Sequence, residues 1–431
     1  MDRAKPFCIA KREMWEAYKQ VKANRGAAGV DGQSIEDFDK DLSKNLYRIW
    51  NRMSSGSYFP PPVRRVDIPK GDTGATRPVG IPTVSDRIPS SGYSNSFAAG
   101  TLASLAQMAV KRHLVPILEP VFHRDSYGFR PGKSAHDALV KARQRCWAHD
   151  WVLDLDIKSF FDEIDWDLLM RAVRRHTDCP WVLLYLERWL RAPVSMPSGD
   201  LVDRESGTPQ GAVVSPLLAN LFLHYAFDCW MQREHPDILF ERYADDAICH
   251  CASEAQALEL RQALELRLAA CRLRLHPEKT KIVYCKDANR PGEYPEQSFD
   301  FLGYTFRSRS AIGRNQKRFV SLIPAVSDKA AKRIRLEARR WRMHLRSDLE
   351  LEEIARWTRP FLSGWVRYYG RFYPSKLREE LRTIDAFIVR WVSRKYRRFQ
   401  GHTLAAWDWL RSLKRRNPNL FAHWALGTAA G

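Results

Sequence analysis

Three aspartates have the type and spacing to hold metal. Tyr243-Ala244-Asp245-Asp246 sets two adjacent carboxylates between Phe240-Glu241-Arg242 and Ala247-Ile248-Cys249. The flanks favour strands, so the stretch reads as a β-hairpin with the acidic pair at its tip. Adjacent carboxylates repel each other and prefer solvent or a cation, which makes the pair a plausible hard-metal ligand, although a lone Asp-Asp is more often a solvated turn. The third is Asp156. Trp151-Val152-Leu153-Asp154-Leu155-Asp156-Ile157 alternates as a strand, with Leu153, Leu155 and Ile157 on one face and Val152, Asp154 and Asp156 on the other. Two acids on an apolar strand are costly unless that face meets water or positive charge, so Asp156 reads as a ligand and Asp154 as its neighbour.

These acids must be positioned by the elements around them. After Asp156, Lys158 to Asp165 turns into a helix, placing Phe161 beside the acid and Phe160 in the core. Gly207-Thr208-Pro209-Gln210-Gly211 is a flexible turn leading into an apolar helix through about Trp230. Ser253-Glu254-Ala255-Gln256 has capping-box spacing, and Leu260, Leu264, Leu268 and Cys271 follow as an apolar stripe. A strand after His276 to Lys281 and an aromatic strand, Ser298 to Phe306 with a central Gly303, complete this region. Upstream, Phe7 to Met53 reads as helical with a Gly-rich break at 26–32. The next segment, Tyr58 to Pro82, reads as a hairpin whose Arg64, Arg65, Lys70 and Arg77 offer cations to phosphate. Pro89 to Leu105 is almost free of charge and reads as an inserted loop, with a helix following from Ala106 to Leu118. Tyr127 to Lys133 reads as a basic loop, and Ser134 as the cap of a helix to about His149.

The chain has 431 residues and carries 70 Lys and Arg against 50 Asp and Glu, a net charge of +20 that argues for a polyanionic partner. No apolar run of about 18 residues exists to span a bilayer and no signal-peptide core opens the chain, so a soluble, cytoplasmic protein is expected, without a membrane partner. The eight cysteines form no Cys-x-x-Cys pair, and Cys249-His250-Cys251 reads as buried strand. From Ser327 to Gln400, Lys and Arg outnumber the acids and interleave with Trp341, Trp357, Trp365, Tyr368, Tyr369, Phe372, Tyr373 and Trp391, a nucleic-acid-binding composition in which most aromatics belong to a helical core. One strand-end carboxylate and a hairpin pair suit two divalent cations for in-line phosphoryl transfer, and Mg2+ suits oxygen ligands. That is the logic of a polymerase.

Tyr-Ala-Asp-Asp, Asp154-Leu155-Asp156-Ile157-Lys158-Ser159-Phe160-Phe161-Asp162, Gly207 to Gly211, Tyr127 to Ser134, Phe299-Asp300-Phe301-Leu302-Gly303-Tyr304 and Gly364-Trp365-Val366-Arg367-Tyr368-Tyr369-Gly370 together resemble the ordered blocks of group II intron-encoded reverse transcriptases, or maturases. The resemblance implies an α+β right-hand fold: an N-terminal helical extension (1–56), fingers and palm with an antiparallel sheet backed by helices (57–324, with the insertion at 89–105), an α-helical thumb or maturase domain (325–400) and a short tail (401–431). It implies two Mg2+ ions held by Asp156, Asp245 and the Ile157 carbonyl, with Asp246 completing the catalytic acids. Lys70 and Arg77 would hold the nucleotide triphosphate, Gln210 would lie beside the nucleotide, and Phe161 would gate against a ribose 2'-OH. Lys279 would stand near the pyrophosphate, and Phe301, Leu302 and Gly303 would form the primer grip. Implied partners are intron RNA, RNA template, DNA primer and target, and dNTPs. The chain departs from the family pattern in the insertion, in Ala212 where a second glycine is usual, and in lacking the cysteine-bearing endonuclease region after the thumb, which points to the endonuclease-free class. Two other roles are compatible with the same blocks: an RNA-binding splicing cofactor with incidental polymerase activity, and a reverse transcriptase recruited to host defence.

Overall fold

Periodicity in the sequence becomes secondary structure with few exceptions in a computed structural model of the chain. The structure describes residues 5–23, 35–69, 76–81, 101–196, 198–209, 211–312 and 316–427, with backbone alone at 64–69, 76–81, 101–104 and 312. Lys70, Gln210 and residues 89–100 of the expected insertion lie outside the described residues, and Arg77 is described only by its backbone. The described chain divides into two compact units, one formed by residues up to 81, 101–138 and 153–280, the other by 139–152 and 281–427.

The first unit begins with α1 (Lys11–Ala23), α2 (Ile35–Lys40) and α3 (Leu42–Ser54), which bury Met14, Tyr18, Val21, Phe38, Ile49 and Met53. β1 (Val63–Pro69) and β2 (Thr76–Ile81) form the expected antiparallel hairpin, with Ile68 opposite Arg77. α4 spans Thr101–Leu118, so the last five residues of the expected loop are helical, and Leu105 is fully buried. The low charge there is the start of a core helix, since Ala and Leu are strong helix formers. Ser134 Oγ accepts from Asp137 N at the start of α5 (Ala135–Ala148), whose first turn alone belongs to this unit.

β3 (Trp151–Leu155) ends one residue before Asp156. Val152 is fully buried, so the acid-bearing face is not open along its length; only Asp154 and Asp156 on it are partly exposed. α6 (Phe160–Glu163), α7 (Trp166–Arg174) and α8 (Pro180–Arg191) follow. β4 (Val194–Ser195) and β5 (Leu201–Val202) extend the first hairpin into a sheet ordered β2-β1-β4-β5. The apolar helix continues past Trp230: α9 (Ser215–Leu223) passes through a π-helical stretch, His224–Asp228, into α10 (Cys229–Glu234). β6 (Leu239–Tyr243) pairs antiparallel with β7 (Asp246–Cys251), and β7 lies between β6 and β3 in one sheet. α11 (Glu254–Ala270) buries Ala257, Leu260, Leu264 and Leu268, and Ser253 Oγ caps Gln256 N as its spacing predicts.

In the second unit β8 (Lys281–Tyr284) precedes a sheet ordered β11-β10-β9, made of β9 (Phe299–Phe301), β10 (Tyr304–Ile312) and β11 (Arg318–Val326). The expected single strand from 298 to 306 is therefore a hairpin. Leu302 (φ 51) and Gly303 (φ 78) both adopt left-handed backbone, which turns the chain back on itself. Four helices follow: α12 (Asp328–Arg340), α13 (Leu351–Tyr369), α14 (Pro374–Lys395) and α15 (Thr403–Arg416). α15 falls where a tail was expected and buries Ala406, Leu410 and Leu413. Trp341, Trp365, Tyr369 and Trp391 are core, and Trp341 stacks on Trp365 at 5.5 Å. Among the described residues no helix is long and apolar enough to cross a membrane.

Candidate active site

The acidic hairpin is the tightest turn its strands allow. Tyr243 faces Asp246 across the ladder, so the turn is the dipeptide Ala244-Asp245, and Ala244 takes a φ of 59°. Asp245 lies in the turn, half-buried, while Asp246 opens β7 and is exposed. A non-glycine residue in left-handed backbone persists only where its surroundings hold it there.

Those surroundings are a buried polar network beneath the turn. Arg242, 1% exposed in its side chain, donates Nε and Nη2 to the two carboxylate oxygens of Asp228 at 2.7 and 2.6 Å. Its Nη1 donates to the Ala244 carbonyl and to Asn220 Oδ1, both at 3.0 Å. Asn220 Nδ2 in turn donates to the Gly128 carbonyl at 2.6 Å. The backbone of the same segment runs along β6: Arg242 N donates to Asp125 O, and Tyr127 N to Arg242 O. Gly128 is glycine for lack of space, because a Cβ there would stand 2.4 Å from Ala244 N and 2.9 Å from Tyr243 C. Burial alone would push the Asp228 carboxyl up, but Arg242 and His224 outweigh it and hold it below its usual range. His224, despite a burial that disfavours charge, is raised to about 9 by Asp228 and Cys229. One strand on, His250 Nε2 and Glu241 Oε2 pair at 2.6 Å with no exposure, and Cys249 and Cys251 are buried as expected.

Asp156 leaves β3 into a short connection fixed from below. Its carbonyl accepts from His276 N at 2.7 Å, and Lys158 N donates to Arg274 O at 2.9 Å. Lys279 Nζ reaches both Asp156 carboxylate oxygens, at 3.3 and 3.4 Å, and the pair is open to solvent. Ile157, the expected carbonyl ligand, bridges Leu275 and is buried. β7 is the sheet neighbour of β3, so the strand that opens at Asp246 lies beside the one that ends just before Asp156. Among the described residues no group of three or more His, Cys, Asp or Glu lies close enough to hold a metal ion unaided.

Phe160 is core, 2% exposed, and Phe161 is 9% exposed at its edge. The Gly207-Thr208-Pro209 segment is clamped onto the turn that carries them. Thr208 N donates to Phe161 O and Gly207 N to Ile164 O, each at 2.7 Å. Trp166 Nε1 donates to Gly207 O, also at 2.7 Å. Gly207 has a φ of 81°, and a Cβ would meet Asp162 O at 2.6 Å, so both backbone angle and space demand glycine. Arg130 of the expected basic loop is spent internally, on Glu119 and on the His123 and Ser126 carbonyls, and is 6% exposed.

In the second unit Phe301 is buried, and the Leu302-Gly303 turn is held by aromatic hydroxyls. Tyr368 Oη donates to the Leu302 carbonyl at 2.9 Å, Tyr304 Oη donates to Tyr368 O, and a Cβ on Gly303 would meet Tyr369 Oη at 3.2 Å. Sequence reading passed over Asp228, Asn220 and Gly128 as positioning residues. The signal was an Asp at the end of the largely apolar run Leu221 to Phe227 and an Arg inside a strand, opposite charges that burial obliges to pair.

The reverse transcriptase (RNA-dependent DNA polymerase) family matches residues 68–306, and the group II intron maturase-specific domain matches residues 331–407. Protein YkfC of Escherichia coli (strain K12) is 31% identical over 353 residues, 72% of this chain and 84% of YkfC. The group II intron-encoded protein LtrA of Lactococcus lactis subsp. cremoris is 33% identical over 210 residues, 48% of this chain but 32% of LtrA. A telomerase from Candida albicans, solved with a telomeric RNA fragment, aligns over 83% of this chain and 63% of its own at 14% identity and a TM-score of 0.42. The chain belongs to the reverse transcriptase family, among the group II intron reverse transcriptases that carry a maturase domain.

Proposed function

We propose that this chain extends a DNA primer on an RNA template by two-metal nucleotidyl transfer, and that it also binds intron RNA to assist splicing and mobility. The observation that carries this reading is the acidic hairpin, braced from beneath and lying on the strand next to the one that ends before Asp156. Mg2+ is commonly bound by one or two carboxylates with water and substrate phosphates completing its shell, rather than by an all-protein cage. A donor set of Asp156, Asp245 and the Ile157 carbonyl, with Asp246 beside it, suits that mode and needs no preformed cluster. Bound there, two such ions would neutralise charge on the attacking and leaving oxygens.

In this reading the primer 3'-hydroxyl attacks the α-phosphate, the new phosphodiester forms, and pyrophosphate leaves. Lys279, resting on Asp156 in the free chain, would transfer to the phosphates of the nucleotide. Lys70 and Arg77 would hold the triphosphate, Gln210 would lie against the nucleotide, and Phe161 at the edge of the core would exclude a 2'-OH. Phe301, Leu302 and Gly303 would support the primer end, with the basic second unit holding the duplex. Primer extension on an RNA template with Mg2+ tests the assignment. The Asp245→Ala/Asp246→Ala chain should lose extension, and Phe161→Ala should gain ribonucleotide incorporation. Extension unchanged in the double variant would sink the site.

A further inference from the structure

The second unit contains a cavity of about 530 Å3 that the polymerase chemistry does not use, lined by Arg378, Arg382 and Asp385 of α14, Lys414 and Arg415 of α15, and His423 beyond them. Its size falls within the roughly 300–1,000 Å3 of ordinary ligand sites. We propose that it is a binding pocket for a phosphate group. Four cations line it against one carboxylate, and that carboxylate is consumed by the wall itself: Asp385 accepts from Lys414 Nζ, from His423 Nε2 at 3.0 Å and from Trp424 Nε1 at 2.9 Å. Three arginines are left with donors to give. Arg378 commits Nη2 to the Leu426 carbonyl at 2.6 Å, while its buried Nε has no partner among the described residues. Arg382 and Arg415 are exposed and make no ion pair among the described residues. Guanidinium groups present planar, forked donors that match phosphate oxygens, and like charges brought together around a cavity are stabilised by an anion between them.

The wall also holds an unmet acceptor. Burial lowers the His423 imidazole, 6% exposed, below its usual range despite Asp385, so it is neutral at pH 7, and with Nε2–H on Asp385 its Nδ1 lone pair has no partner among the described residues. A hydroxyl carried by the ligand, or a water beside it, would satisfy that atom. The phosphate could come from a strand of RNA or from free pyrophosphate. The chemistry is the same for both sources.

The pocket stands independently of the polymerase reading, and its test is run in EDTA so that metal-bound phosphate at the aspartates contributes nothing. The intact chain is treated with an arginine-selective dicarbonyl, alone and with pyrophosphate or a short single-stranded RNA, at matched ionic strength, and modification is mapped by mass spectrometry. Arg382 and Arg415 should be protected, while Arg416, exposed on the same helix but outside the lining, should not be. Protection by pyrophosphate alone assigns the pocket to free polyphosphate; protection by RNA, with or without pyrophosphate, assigns it to a phosphodiester. The Arg382→Gln/Arg415→Gln chain should bind the protecting anion about tenfold or more weakly, since it loses two charge-assisted donors to the phosphate. Equal protection of Arg416, or none of Arg382 and Arg415 by either anion, overturns the proposal.

Discussion

Replacing Asp228 with Asn should separate the scaffold of the acidic turn from its chemistry. The Arg242–Asp228 pair is bidentate, with side-chain exposures of 1% and 0%. Removing one partner of such a pair strands the other charge in the core, at a cost of about 3–5 kcal/mol. Asn retains one acceptor, so the lower end, about 3 kcal/mol, is expected; against a typical total of roughly 5–15 kcal/mol this is a large share. Denaturant unfolding measures it. Arg242, freed from Asp228, also loosens its grip on the Ala244 carbonyl, and displacement of a catalytic group by about 1 Å can cost on the order of 100-fold in rate. Primer extension should therefore fall even at temperatures where the variant remains folded. A second variant sharpens the test: Asp228→Leu with Arg242→Met removes both charges, so stability should largely return while extension stays low, because Ala244 has lost its donor. An Asp228→Asn chain within about 0.5 kcal/mol of the parent, with full activity, would refute the bracing argument.

Two further outcomes follow from the same network. Gly128→Ala drives a Cβ into the backbone of Tyr243 and Ala244, so a stability loss of about 1–3 kcal/mol and a fall in kcat are expected from unfolding curves and steady-state extension; an unchanged kcat would show that the turn does not depend on that contact. His224 holds its proton to about pH 9 in the folded chain against 6.5 when free, so its contribution, on the order of 2 kcal/mol after solvent screening, is complete below pH 6.5 and lost as pH rises through about 9. Unfolding midpoints measured across that range should fall for the parent and much less for His224→Gln, and identical profiles would count against the assignment.

Much of this site could be read from residue order because its elements are local. The hairpin needs only alternating residues around a two-residue turn, the Ser253 cap only its spacing, and the β1–β2 hairpin only its flanking strands. What escaped was set by contacts far apart in the chain. The inserted loop yields its last turn to α4 because Leu105 has a core to enter. The Phe301 to Tyr304 stretch turns back because Leu302 and Gly303 can both take positive φ, and Tyr368, 66 residues on, holds the Leu302 carbonyl. Asp228 gains its role only from Arg242, fourteen residues on in the chain, whose guanidinium it accepts from in the core. α15 lies in the stretch expected as tail, and buries Ala406, Leu410 and Leu413.

The π-helical stretch at His224–Asp228 gives the helix that carries Asp228 a particular rotational phase. A π turn carries one residue more than an α turn, and one residue of α-helix is about 100° of rotation. Were the same residues wound as regular α-helix, each would advance by about 100°, and Asp228 and everything after it would be turned further around the axis, away from Arg242. The helix is thus wound to a particular angle against the acidic hairpin, and the wide turn sets where the Asp228 carboxylate meets Arg242.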